Sequence, residues 1–240
     1  MDEHNIVISG DTVKRLLKDV CQVLKHPLTD NGIYYIHDDS DMTKGYAMII
    51  GPSNTPYFGG YYFFAFDFPF DYPFTPPNVT YMTNDGVTRF NPNLYINGKV
   101  CVSILNTWAG EKWSSCQTIN SVLLTLCSLL NETPFENEPG QTVTCRDFGP
   151  YQKSIEFKNI DFAICDMFLK RKIPPVFRAF YPFMREQFIH NYDKLIAYVH
   201  SKLNENSIQH VFIYKMTTNI NYVNLESKLI ETKKLIDSQK

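Results

Sequence analysis

Arg89-Phe90-Asn91-Pro92-Asn93-Leu94-Tyr95-Ile96-Asn97-Gly98-Lys99-Val100-Cys101-Val102-Ser103-Ile104-Leu105, followed by Trp108 and then by Trp113-Ser114, is the stretch on which the reading of this chain turns. Asn91-Pro92 and Asn97-Gly98 are turn dipeptides; they bracket a short irregular segment and deliver Cys101 to the mouth of an apolar run. A cysteine used only as small core filler needs periodicity and nothing more. Two turns, with the side-chain amide of Asn93 set eight residues ahead of the thiol, read instead as a site.

Upstream, Phe68-Pro69-Phe70-Asp71-Tyr72-Pro73-Phe74-Thr75-Pro76-Pro77 is a proline-rich bend, and Tyr72-Pro73 within it is a candidate cis bond. Strand patterns cover residues 33–37, 45–50, 61–68 and 78–82, separated by turn chemistry at Asp38-Asp39-Ser40-Asp41, Gly51-Pro52-Ser53-Asn54 and Gly59-Gly60. Connections this short predict an antiparallel meander. The run 61–68 is aromatic on both faces, as a strand covered on both sides must be. Ahead of the strands, Val13, Leu16, Leu17, Val20 and Leu24 recur at helical spacing, with Asp11 as the expected cap and Pro27 as the stop.

Downstream, residues 82–110 have no clear period and read as a long functional loop with short helical turns. Ile119, Val122, Leu123, Leu126, Leu129 and Leu130 predict a central helix behind the candidate caps Ser114 and Ser115, stopping before Pro134. Helical spacing resumes at Phe162, Cys165, Met167 and Phe168, and again from Phe188 through Tyr192, Leu195, Ile196 and Val199 to Leu203. Pro174-Pro175 separates these two, and Pro182 is expected to start or kink the second. The apolar run 211–214 reads as extended, and Tyr222, Leu225, Leu229, Ile230 and Ile236 mark a last amphipathic helix. The expected class is α+β, with a core over residues 9–150 and a helical extension over 151–240 packed on it.

In 240 residues, 44% hydrophobic and 15% aromatic, there is material for a sizeable core. A formal net charge of −2 with interspersed signs gives no footprint for nucleic acid and no polybasic membrane anchor. The acidic opening Met1-Asp2-Glu3-His4-Asn5 is unlike a signal peptide, and no apolar run is long enough to span a bilayer. The six cysteines form no Cys-x-x-Cys pair, so no metal site is expected, and free thiols point to a reducing setting in the cytoplasm or nucleus.

The central stretch resembles the active-site segment of the ubiquitin-conjugating enzymes. The shared features are Asn91-Pro92-Asn93, Gly98, Val100-Cys101-Val102, Ile104-Leu105 and Trp113-Ser114, with the proline-rich bend in its proper place upstream. Asn91 stands where that family usually has histidine. With Asn137-Glu138-Pro139-Gly140, Ala163-Ile164-Cys165-Asp166-Met167 and four extra residues between Cys101 and Trp113, this asparagine is similar to the large Z-type members, which carry a helical C-terminal extension.

The resemblance implies a transferase of the modifier-conjugation pathway. Cys101 would accept ubiquitin or a ubiquitin-like modifier as a thioester from an activating enzyme and pass it to a substrate lysine, directly or with a ligase. No cofactor of its own is implied, since the activating enzyme uses the ATP. Because a thioester is already activated, the remaining work is orientation, oxyanion stabilisation and delivery of an uncharged amine. Asn93 is a neutral amide donor suited to the oxyanion or to pinning its own loop.

Glu138 or Asn137 falls where the family places an acidic residue that guides the lysine, and a capping turn without chemistry is the other reading. Lys14, Arg15 and Lys18 are either the solvated face of the first helix or its face toward the activating enzyme. Phe74, Thr75, Ser114 and Ser115 lie in the two loops that meet a ligase in the family. Trp108 and Trp113 are expected to pack, and Cys127 to lie in the core. An inactive escort module on the same fold is the alternative, which the presence of Cys101 disfavours. A papain-like hydrolase lacks its histidine setting here. Removal of residues 206–240 is expected to leave the core folded but to alter partner choice.

Overall fold

The computed structural model describes residues 9–170 and 172–239. The acidic opening at residues 1–5 lies outside them. Helix α1 (Gly10–Lys25) leads into strands β1 (Ile33–His37), β2 (Lys44–Ile50), β3 (Tyr61–Asp67) and β4 (Asn78–Tyr81), paired antiparallel in the order β1-β2-β3-β4. The expected meander is therefore present, each strand ending within one residue of its sequence reading. Helix α2 (Ile119–Ser128) follows the long loop.

The cap of α1 is Ser9 and not Asp11: its side chain accepts the N–H of Thr12 at 3.1 Å, and Asp11 sits inside the first turn. The buried face also differs from the apolar spacing. Leu17 and Leu24 are exposed, while Thr12 and Asp19 are buried together with Leu16, Val20 and Val23. Polar residues take the inward positions because they find partners there. Thr12 Oγ1 donates to the carbonyl of Phe70, and Asp19 accepts from Arg15 Nε and from the Tyr72 hydroxyl. At α2 the cap is Thr118, in a reciprocal capping box with Ser121, rather than Ser114 or Ser115.

Both sheet faces are covered. On one, Tyr46, Tyr61 and Phe63 meet the extension: Phe177 lies 5.5 Å from Tyr46 and 4.9 Å from Phe63, and the Tyr61 hydroxyl donates to the carbonyl of Met184. On the other, Tyr62 donates to Asn159 Oδ1 and stands edge-on to Tyr57. This explains the unbroken aromatic run of β3, since a strand packed on both sides has no solvated face to alternate with.

The extension begins with α3 (Phe148–Lys158), which runs through a π-helical stretch at Asn159–Asp166 into the short α4 (Met167–Leu169). Residue 150 thus lies within a helix. The wider π turn brings Ile160 and residues 162–168 all inward, which no 3.6-residue period anticipates. A 3-10 turn at Pro175–Phe180 feeds α5 (Tyr181–Ser201), which Pro182 starts rather than kinks.

Residues 211–214 are only partly extended. Strand β5 (Ser207–Val211) ends there and turns back into β6 (Met216–Ile220), forming a hairpin among the helices, before the last helix, α6 (Tyr222–Asp237). Val211, Leu225, Leu229 and Ile236 are fully or almost fully buried, and Lys228 bonds Asp161 and lies 2.6 Å from Asp166. The described residues from 207 to 237 thus pack into the fold through buried side chains and an ion cluster.

Candidate active site

Gly98 shows why the loop needs its glycine. It adopts φ +89°, and a Cβ there would meet Thr80 Cγ2 at 2.9 Å and the Tyr81 carbonyl at 3.2 Å. The Gly98 carbonyl accepts the N–H of Tyr81, so the loop lies directly against β4. From this fixed point the chain returns through Val100 to Cys101, whose N–H donates to the Asn93 carbonyl at 2.9 Å.

Behind Cys101 stands a relay of amides. Asn93 Nδ2 donates to the Cys101 carbonyl at 2.7 Å, and the Asn93 N–H donates to Asn91 Oδ1 at 2.9 Å. Asn91 Nδ2 donates in turn to the Leu129 carbonyl at the end of α2 and to the Tyr57 hydroxyl. Tyr57 completes the set by donating to the Phe90 carbonyl, and burial pushes its phenol far above the ordinary range, so it stays a donor. Asn137 Nδ2 reaches the Leu129 carbonyl at 3.1 Å and Asn91 Oδ1 at 3.5 Å. Fully buried, Asn91 therefore fixes the loop to α2 and to the turn 134–137 at once.

Cys101 itself is buried, at 3% exposure, although its sequence setting reads as a presented thiol. The cause is the longer segment before Trp113. Thr107 Oγ1 accepts the Val102 N–H and donates to the Val102 carbonyl, and the Asn106 side chain, from a left-handed backbone, accepts the Trp113 N–H. These staples carry the Thr107 carbonyl to 3.0 Å from Cys101 Sγ, where it accepts the thiol proton. An open groove of about 520 Å³ runs beside this cover, bounded by β4, Lys99, Val100 and Thr107.

Glu138 and Asn137 lie at the end of the turn 134–137, and the Glu138 carboxylate accepts from the Tyr214 hydroxyl at 2.8 Å. Cys101, Asn93, Asn137 and, next to it, Glu138 are thus brought into one connected assembly. The Asn93 amide is occupied as a loop pin, yet carries a second N–H, and its Oδ1 is buried without a partner among the described residues.

The other candidates form a separate surface. Phe74 is 80% exposed, and Ser114 and Ser115 are exposed on the neighbouring loop. Thr75 donates to Asp71, and Trp113 Nε1 donates to the Pro73 carbonyl, which ties the two loops together across the cis Tyr72-Pro73 bond. Arg15 is part of the same joint: it pairs with Asp19 and donates to the carbonyls of Ser115 and Gln117, whereas Lys14, which pairs with Asp11 at 3.6 Å, and Lys18 lie on the exposed face. Trp108, expected to pack, is 47% exposed on the cover segment, and Cys127 is half-buried at the core's margin.

Residues 15–160 match the ubiquitin-conjugating enzyme family. The chain belongs to that family. It is 41% identical over 196 residues to ubiquitin-conjugating enzyme E2 Z of Xenopus tropicalis, covering 80% of this chain and 61% of the relative. The like-named protein of Homo sapiens is 44% identical over 156 residues, covering 64% of this chain and 44% of that one. Probable ubiquitin-conjugating enzyme protein 17 of Caenorhabditis elegans is 36% identical over 173 residues, or 67% and 24%. The chain thus spans less than two thirds of the length of the relatives it matches. Within the family frame, Thr107, Tyr57, Arg89 and Tyr214 are site neighbours that the motif did not reveal. Thr107 falls in the lengthened segment and Arg89 heads the motif stretch without a role of its own; Tyr57 and Tyr214 lie far from Cys101 in sequence and carry no local signal.

Proposed function

We propose that the chain is a ubiquitin-conjugating enzyme in which Cys101 carries the modifier. In the first step the Cys101 thiol attacks the thioester on an activating enzyme; a new S–C bond forms, and the activating enzyme's thiol leaves with the proton. In the second, a substrate lysine amine attacks the Cys101 thioester, an amide forms, and Cys101 regains its proton as the ammonium-derived proton is released. ATP is consumed by the activating enzyme. Asn93 holds the loop and offers its second N–H to the developing oxyanion, while Glu138, with Asn137 behind it, guides the lysine.

The observation that carries this reading is the amide relay from Asn137 through Asn91 and Asn93 to Cys101, in a chain of this family. Rigid positioning of one thiol without a charged base suits a reaction whose electrophile arrives already activated. Residues 9–150 serve as the catalytic core and 151–240 as the extension packed on it. Lys14 and Lys18 on the outer face of α1 meet the activating enzyme, with Arg15 bracing that helix. Phe74, Thr75, Ser114 and Ser115 form the surface for a ligase. Six free thiols suit a reducing cytoplasmic or nuclear setting. No described helix is long and apolar enough to cross a membrane.

The test is charging. The purified chain, ATP and a panel of activating enzymes with their modifiers are resolved on a non-reducing gel, and a reductant-labile band heavier by one modifier is expected. Cys101→Ser should convert it to a reductant-stable ester of the same size. A labile adduct surviving in that variant would move the nucleophile to another cysteine. No adduct from any pair would favour the escort module.

A further inference from the structure

We infer that Tyr214, at the tip of the extension's hairpin, is a positioning residue of the catalytic site whose hydroxyl aims the Glu138 carboxylate at the incoming lysine ammonium. The inference rests on the function proposed above and assigns the extension a direct part in it.

Contacts on the turn and on the ring together place the tyrosine. The turn between β5 and β6 is closed by the Lys215 N–H on the Phe212 carbonyl, with Lys215 itself at φ +50°. The Ile213 N–H donates to the buried Asp147 carboxylate at 2.8 Å, and the Arg146 guanidinium lies 3.9 Å over the Phe212 ring. Tyr214 then projects into the core, its ring 5.6 Å from Tyr151 and edge-on to Phe135. Its hydroxyl ends on Glu138 Oε2.

The same ring is approached at 5.4 Å by the Arg89 guanidinium, which also stacks 3.3 Å over Tyr95. Arg89 donates to the carbonyls of Asn91 and Pro92, the residues immediately before Asn93. One side chain from the extension therefore touches both Arg89, at the head of the loop 89–95, and Glu138, at the end of the turn 134–137.

The chemistry of the contact matters more than its existence. A cation in this position would neutralise the carboxylate, whereas a phenol orients one oxygen and leaves the charge for an ammonium. Burial and the neighbouring Glu138 raise the Tyr214 phenol well above its ordinary range, so it remains the donor through neutral pH. Arg89 meets the Tyr214 ring and not the carboxylate, directing Nε and Nη2 to the carbonyls of Asn91 and Pro92.

The experiment uses the full chain, charged at Cys101 and chased with graded free lysine or with hydroxylamine, an amine that is uncharged at neutral pH. For Tyr214→Phe, the KM for lysine should rise about fivefold, with kcat held within about twofold and hydroxylamine discharge and loading unchanged. Glu138→Gln should show the same lysine defect, and the double variant should be no worse than either single one. A lysine KM equal to wild type in Tyr214→Phe, beside charged and active wild type, overturns the inference alone. Equal slowing of lysine and hydroxylamine overturns it too, because a merely structural role would produce that result. A wild type that never charges overturns the underlying function and the inference with it.

Discussion

Around Cys101 the backbone is held by side-chain amides and hydroxyls, while behind the sheet the extension is held by rings and by one cluster of ions. Asn91, Asn93, Thr107 and Tyr57 form their bonds at 2.7–3.0 Å and bury little apolar surface beyond the tyrosine ring. Phe177, Phe180, Tyr61 and Phe63 do the reverse: they fill volume, and Lys228 with Asp161 and Asp166 supplies a polar centre for the helices. Directional bonds set where an atom sits, and packing sets how much free energy keeps it there. The difference teaches that damage to the two regions should be separable, chemistry at the front and stability at the back.

Deleting residues 206–240 attacks that separation most strongly. The deletion uncovers the buried faces of α5, the π turn and α4 that α6 now seals, and removes Tyr214 and Lys228 as well. Loss of the cooperative melting transition, or a soluble yield close to nil, is the expected outcome by calorimetry and expression. A well-folded truncation that still charges would show the back of the molecule to be dispensable.

Lys228→Met is the finer lesion at the back. Burial pushes the Asp161 carboxyl up, but the bonds and charges of Lys228 and Lys158 outweigh it and hold it below the ordinary aspartate range. A depressed carboxyl contributes stability above its unfolded pKa and loses it as pH falls through the folded one. Removing Lys228 should therefore cost about 3 kcal/mol near neutrality, the low end for an orphaned buried ion, because Lys158 and Lys170 remain beside the carboxylates. The deficit should shrink in acid as the Asp161 carboxyl protonates, which melting curves across pH will measure. A deficit that stays constant into acid would show the cluster to be mere packing.

Asn93→Ala sharpens the front. Lysine discharge from Cys101 should fall about a hundredfold, somewhat under the cost of a full oxyanion donor. Because a single side-chain hydrogen bond, to the Cys101 carbonyl, is lost, the melting temperature should move by only about 2–4 °C, the equivalent of roughly 1 kcal/mol. A large melting shift with unimpaired discharge would reverse the assignment of the two regions.

The sequence disclosed the front more fully than the back. Turn dipeptides and aromatic runs act locally, so the four strands and the Cys101 loop were legible from neighbours in the chain. The cover over Cys101 was not, because Thr107 reaches it through backbone geometry that no motif encodes. The inward face of α1 was misread because Thr12 and Asp19 are polar by type yet satisfied by partners some fifty residues or more away, Phe70 and Tyr72. The hairpin was missed for a related reason. Its strands, Ser207–Val211 and Met216–Ile220, mix polar and apolar residues, and their apolar members gain meaning only once α3 packs on them.

The burial of Cys101 has a practical consequence at the bench. Cys21 and Cys116 are the exposed thiols, while Cys101 is at 3% and Cys165, its thiol pushed up to about 12 chiefly by burial, is sealed in the core. In a titration of the native protein with a small alkylating reagent, the fast label falls on the two bystanders and the residue of interest reports in the slow class. Counting early-labelled sulfur therefore maps surface and not reactivity, and occupancy at Cys101 has to be read peptide by peptide.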